Sequence, residues 1–204
     1  VKLNEILKEA ENPELLKWLK DWNVSAMFEG DGTRVTMDYK KLYEFFVNGK
    51  ENFPKEYENC QIYVRFEFRN HEVTQCPGGA KLWYDFYGDK LAGTTYSYAT
   101  VRDAKQLMDL GEEFTFAKCA IYDLKLDKDF YADSFQFYET TVYCGLLSLL
   151  KAEYVGKIKA RYCVQHGLEK AVGIIDKHKG TDDTDIPECM DELIGAGLKE
   201  FAKL

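Results

Sequence analysis

The run TTYSYATVRDAKQLMDLGEEFTFAKCAIYDLKL, residues 94–126, decides how the rest of the chain is read. Its opening is rich in Thr and Tyr, the composition of a strand. Val101, Ala104, Leu107 and Met108 then recur at helical spacing and Gly111 follows, which predicts a helix with one apolar face and a glycine stop. AKCAIYDLKLD returns as a strand. The same order of strand, short apolar helix and strand can be read in TRVTMDYKKLYEFFVNGK through CQIYVRF, and again in FYETTVYCGLLSLLKAEYVGKIKARY. These copies stand roughly sixty and then forty residues apart, too uneven for the fixed period of a solenoid. They are read instead as recurrences of a common supersecondary unit.

On the N-terminal side of that run, QIYVRFEFR at residues 61–69 gives the clearest strand. Ile62, Val64, Phe66 and Phe68 alternate with polar neighbours, so one face of a sheet is buried and the other wet. Pro77-Gly78-Gly79 then reads as the turn of a hairpin, KLWYDFYG as the next strand, and Gly88-Asp89 as a bend into LAGTTYSYAT. The N-terminal side carries a helix over residues 2–20 that restarts at Asn12-Pro13, a hairpin around Gly30-Asp31-Gly32, and a helix in DYKKLYEFFVNGK that stops at Asn48-Gly49. SFQFYETT and GKIKARYCV add strands, with a helix at VYCGLLSLLKA between them. DIPECMDELIGAGLKEFAKL supplies a last helix with Asp185 and Pro187 at its start. The expected class is α+β: a mostly antiparallel sheet of five or more strands, helices packed on one face, and helical termini. A length of 204 residues fits one domain over 1–204, with a core at 58–180 and helical extensions at 1–22 and 185–204.

The order CQIYVRFEFR, GGAKLWYDFYGDKLA, TTYSYATVRDAKQLMDLGEEF and AKCAIYDLKLDKDF resembles the sterol carrier protein type two family. YVGKIKARYCVQHGLEKAVGIID is similar to that family's closing strand, and VTMDYKKLYEFFVNGK to its strand-to-helix step. The resemblance covers about half of the chain and implies a sheet with helices packed around an apolar tunnel that takes up fatty or sterol-like molecules.

Bulk properties narrow the function classes. Hydrophobic residues make up 46% and charged residues 30%, the balance of a folded protein. A net charge of −8 opposes partners bound through phosphates, so no nucleic acid is expected. No apolar run reaches the ~20 residues of a membrane span, and VKLNEILKEAENPELLKWLK lacks the apolar centre of a secretion signal, which points to the cytoplasm. The six cysteines contain no CxxC pair, and Cys163 with His166 has no matching second pair for zinc, so reduced thiols and no metal are expected.

Each candidate chemistry has a structural alternative. His71 and Cys76 could form a base and thiol nucleophile, yet turn chemistry explains the Pro and Gly residues that follow. Cys119 is a second candidate thiol. Cys163 and His166 read as a strand end rather than a nucleophile and base. Asp123, Asp127, Asp129 and Asp133 lack the glycine and closing glutamate of a calcium loop. No phosphate-cradling or nucleophile-elbow motif is present.

Aromatic residues form 15% of the chain, and Phe66, Phe68, Leu82, Tyr84 and Phe86 are expected on one side of the sheet, with Leu107 and Met108 over it. The leading expectation is a carrier for a fatty acyl or sterol-like molecule bound in that aromatic-lined pocket, without a cofactor or covalent step; a homodimer is one state it admits. Two alternatives stay open: a cysteine-dependent hydrolase of a small amide or thioester, and a non-catalytic interaction subunit.

Overall fold

The computed structural model describes residues 12–69, 78–104, 107–179 and 185–203. Near the N-terminus Asn12 accepts a hydrogen bond from Leu15 N at 3.1 Å and opens helix α1 (Pro13–Asp21), with Pro13 at its first position. Strands β1 (Ser25–Gly30) and β2 (Thr33–Met37) form an antiparallel hairpin. Asp31 and Gly32 both take positive φ there, as a tight two-residue hairpin turn requires. Asp38 caps helix α2 (Tyr39–Asn48) by accepting from Lys41 N, and Gly49 ends it at φ 87°.

From strand β3 (Gln61–Glu67) the architecture departs from the expected meander. Strands β4 (Leu91–Ser97), β6 (Glu113–Ala117), β8 (Tyr131–Tyr138) and β10 (Tyr154–Arg161) follow it in one parallel array, and β1 and β2 add to its far edge. Two-residue strands β5 (Thr100–Val101), β7 (Ala120–Ile121) and β9 (Thr141–Val142) build a second parallel sheet. The chain therefore winds as a β-solenoid of about 3 turns, and the sheet is mostly parallel rather than mostly antiparallel. An alternating pattern fixes which face is buried but not which way the next strand runs; the connections fix that, and here they return along the second sheet.

Each coil turns at one left-handed residue. Tyr98, Lys118, Glu139 and Tyr162 hold φ between 47° and 55° and succeed one another after 20, 21 and 23 residues. A left-handed non-glycine residue costs about 1–2 kcal/mol, and backbone bonds between coils offset that strain. Tyr98, Lys118 and Glu139 donate their N–H groups to Ala117, Tyr138 and Arg161 carbonyls at 3.0, 2.8 and 3.0 Å. The residues after the last three corners, Cys119, Thr140 and Cys163, form a polar ladder. Thr140 Oγ1 lies 3.2 and 2.9 Å from the Phe116 and Tyr138 carbonyls and accepts from Cys119 N at 3.2 Å. Cys119 Sγ takes the same place one coil earlier, 3.2 Å from Tyr96 O.

Inside, stacking in register lines up rings. Phe116 and Phe137 stack at 6.0 Å, Phe114 and Phe135 at 5.2 Å, while Tyr96 joins Phe66 to Phe116. Val101, Ile121 and Val142 oppose them from the second sheet, all buried. At the β3 end, α1 and helix α3 (Gly79–Tyr87) close the core with Trp18, Trp22 and Trp83. At the β10 end, helix α4 (Leu168–His178) lays Leu168, Ala171, Val172 and Ile175 against the sheet, and helix α5 (Asp185–Gly195) packs on α4.

Several expected elements are replaced. KLWYDFYG lies in α3 and the turn after it, because Trp83 and Tyr87, four residues apart, are the pair that buries. Gly78 and Gly79 turn the chain into that helix with positive φ, so they close no hairpin. The helix expected from Val101 is absent from the described part of that stretch: Val101 ends β5, and Leu107 to Leu110 are irregular. VYCGLLSLLKA yields β9 and a 3₁₀ turn at Leu146–Leu150. The helices at 13–21, 39–48 and 185–195 and the strand at 61–67 stand where the sequence puts them, whereas residues 1–11 lie outside the described residues.

Candidate functional site

Parallel stacking brings the beginnings of several strands to one lip of the large sheet. Gly93, Glu113 and Ser134 are in register there on β4, β6 and β8, and Tyr63 of β3 pairs with Gly93. Gly111 sharpens this lip: it holds φ at 80°, and a Cβ on it would meet the Ala92 carbonyl carbon at 2.2 Å. The close approach lets Glu112 N donate to Ala92 O at 2.9 Å, while Glu112 O accepts from Asp133 N at 2.8 Å. Glu112 and Asp133 are thus set by the backbone lattice between coils.

A groove of about 760 Å³ runs along this lip. Its walls include Asp89, Glu112, Glu113 and Asp133 together with Tyr63, Tyr84 and Tyr131, and none of its lining residues is Lys or Arg. Among the described residues none of the four carboxylates forms an ion pair. Tyr84 is pinned by two bonds, its hydroxyl donating to Asp109 O at 3.1 Å and accepting from Gly111 N at 3.0 Å. Tyr131 donates to Asp133 Oδ1 at 3.3 Å, and its ring lies 5.0 Å from that of Tyr154.

The field is negative. The Asp133 carboxylate, with smaller contributions from desolvation, Tyr154 and Glu112, holds the Tyr131 phenol above its ordinary value. Burial raises the Tyr63 phenol, and Glu113 and Glu29 add to it. Burial also raises the carboxyl of Asp109, whose carbonyl holds Tyr84, against backbone hydrogen bonds that lower it. Carboxylates and ring faces without a cation of their own suit an ammonium or guanidinium group. No cluster of three metal-ligating side chains occurs among the described residues.

The residues expected to line a lipid pocket do not share one surface. Phe66 is fully buried among Trp18, Trp22, Trp83 and Tyr96, and Phe68 stacks on Tyr96 at 6.0 Å. Met108 is buried beside them, its N–H donating to Tyr96 Oη at 2.8 Å, and Leu107 is half-buried. Leu82, Tyr84 and Phe86 lie on α3 instead of a strand; Phe86 packs on Phe46, and Tyr84 reaches the groove. Their alternation therefore does not place them on one sheet face.

The candidate nucleophiles fall elsewhere. His71 and Cys76 lie outside the described residues. Cys119 is buried in the ladder, and desolvation pushes its thiol up to about 12. Cys163 holds the rung after Thr140, 3.5 Å from Arg161 O, with its thiol also raised by burial. Both act as ladder residues rather than thiolates.

Sequence pattern gives Asp89 a place in a bend and Tyr63 a place in a strand, and it marks none of Asp89, Glu112, Glu113, Tyr63 and Tyr131 as a site residue. Their signal is the coil period: Ala92, Glu112 and Asp133 are each about one coil apart, a relation visible only once that period is known.

Fold and groove together define a short parallel β-solenoid, capped by helices and bearing an acidic, tyrosine-lined cleft. No family model, curated protein or solved structure matches the chain, which leaves the sterol-carrier resemblance resting on its short motifs alone.

Proposed function

We propose that this chain is a non-catalytic interaction module that holds a basic polypeptide segment in the groove at the lip of its parallel sheet. The observation that carries the reading is the combination of four carboxylates and three phenol rings with no cation among the lining residues. An arriving Lys or Arg gains carboxylate partners and a ring face at once. Exposed pairs contribute about 0.2–1 kcal/mol each, and cation–π contacts add about 0.5–1 kcal/mol, so affinity would come from several side chains of one segment. The ring-filled interior at Phe66, Phe68 and Met108 favours this surface reading over an acyl carrier.

Fluorescence anisotropy with a labelled Arg-rich peptide tests it. The native protein is expected to bind, with affinity falling as salt rises. The triple variant E112Q/E113Q/D133N is expected to bind roughly tenfold more weakly or worse, the equivalent of about 1.4 kcal/mol. Equal binding by that variant, or no binding at low salt, would contradict the proposal.

A further inference from the structure

The other charged row of the large sheet has the opposite sign. Lys157, Lys159 and Arg161 are alternate residues of β10, paired with Ser134, Gln136 and Tyr138 of β8. Alternation sends all three to the solvent face, since Ile158 between them is buried. Successive cations are therefore about 6.6 Å apart along the strand. Among the described residues none of the three forms an ion pair. Asp176 of α4 is the carboxylate that acts on Lys159, and it is already engaged: it accepts from Ile158 N at 2.8 Å and pairs with Lys179 at 2.7 Å. The crowding shows in Lys159, whose ammonium is held below its ordinary value, chiefly by Lys157. A chain carrying net charge −8 thus concentrates on one strand three cations that form no ion pair among the described residues.

We infer that the solvent face of β10 docks an extended acidic polypeptide segment whose carboxylates occupy every second residue. An extended chain repeats its side chains on one face at the spacing of the cations, so three alternate Asp or Glu residues meet Lys157, Lys159 and Arg161 together. The contact is made by side chains over the strand and not by adding a strand to its edge, because Asp176 already takes the Ile158 N–H there. Ser134, Gln136 and Tyr138 lie alongside as hydrogen-bonding groups for the segment's backbone.

The surroundings select a narrow partner. Glu113 stands in the same row as Lys157, with Ser134 between them, which places it two strands or about 10 Å away. A nucleic-acid duplex or an anionic membrane would overlap that carboxylate, while a single extended strand does not. This site adjoins the groove at Ser134 but draws on a different set of charges, and it does not rest on the groove's assignment.

The test uses the full chain and fluorescein-labelled peptides of one composition, Glu-Ser-Glu-Ser-Glu against Ser-Glu-Glu-Glu-Ser, in low salt. The alternating peptide is expected to bind at least threefold more tightly than the clustered one. Binding is expected to fall at least tenfold in K157Q/K159Q/R161Q, with circular dichroism showing the fold retained, and to persist in E112Q/E113Q/D133N. If the cation variant unfolds, K157Q alone is used, with a twofold or greater loss expected. Equal binding of the two peptides, no loss in a folded variant, or tighter binding of a single-stranded DNA oligonucleotide or of phosphatidylserine-containing vesicles would overturn the inference.

Discussion

Thr140 shows what a single side chain does in a stacked coil. Its hydroxyl accepts from Cys119 N in one coil and lies against carbonyls of two, Phe116 and Tyr138. Replacing it by Val keeps the shape but strips the buried Cys119 N–H of that acceptor, a loss of about 1–3 kcal/mol. The T140V variant is expected to unfold at lower urea than the native chain, with T140S close to native; equal midpoints for T140V and the native protein would show that the ladder contributes nothing. Thiols report the same environment. Cys144 is exposed whereas Cys60, Cys119 and Cys189 are buried, so iodoacetamide near neutral pH is expected to label Cys144 well before those three, as read by peptide mass spectrometry. Rapid labelling of Cys119 in the folded protein would contradict its assignment to the ladder. Burial was legible in the sequence at this scale for Ile62, Val64, Phe66 and Phe68, where alternation and exposure agree. The polar rungs were not legible, since Cys119, Thr140 and Cys163 share a position only after the chain has been wound.

Elements differ in how strongly local sequence specifies them. Helices α1 and α2 carry their own caps in Asn12 and Asp38, and the first hairpin carries its own turn in Asp31-Gly32, so all three were readable. KLWYDFY satisfies two patterns at once: Leu82, Tyr84 and Phe86 alternate as in a strand, while Trp83 and Tyr87 recur as in a helix. Packing of Trp83 against Trp18 and Phe66 decides for the helix and leaves Tyr84 at 42% exposure. Strands β5, β7 and β9 have two residues each, too short to stand alone even with β-branched side chains; they exist because Ala120 N and Thr141 N find the Ala99 and Cys119 carbonyls at 3.0 Å. Sheet edges are also managed element by element. Asp176 covers the Ile158 N–H of β10, and the side-chain amide of Gln165 donates to Val142 O and accepts from Val142 N, both at 2.8 Å, closing β9. Substituting Ala for Asp176 is expected to lower stability by about 1–3 kcal/mol in urea titration and to raise light scattering as the edge becomes available; a variant equal to native in both would deny Asp176 this role.

At the scale of the whole molecule, winding brings distant residues together to make the acidic groove. Glu112 and Asp133 meet in one groove because a coil separates them, whereas Lys157, Lys159 and Arg161 form a row by alternation along β10, and winding sets that strand at the edge of the sheet. The groove was not legible before the period was known, because the first of the three units read from the sequence lies on the antiparallel hairpin and α2 rather than on a coil and makes the spacing irregular; the basic row lies within one strand and follows from its alternation. No helix among the described residues is long and apolar enough to cross a membrane. The acidic and basic surfaces offer a partner two charge tests within one molecule, which favours specificity over affinity. Amide chemical-shift mapping during titration with the Arg-rich peptide tests fold and site together. Gly111, Glu112, Glu113, Asp133 and Ser134 are expected to shift as one group while the amides of α4 stay still; shifts confined to α4, or scattered with no concentration at those five residues, would contradict the groove as the binding site.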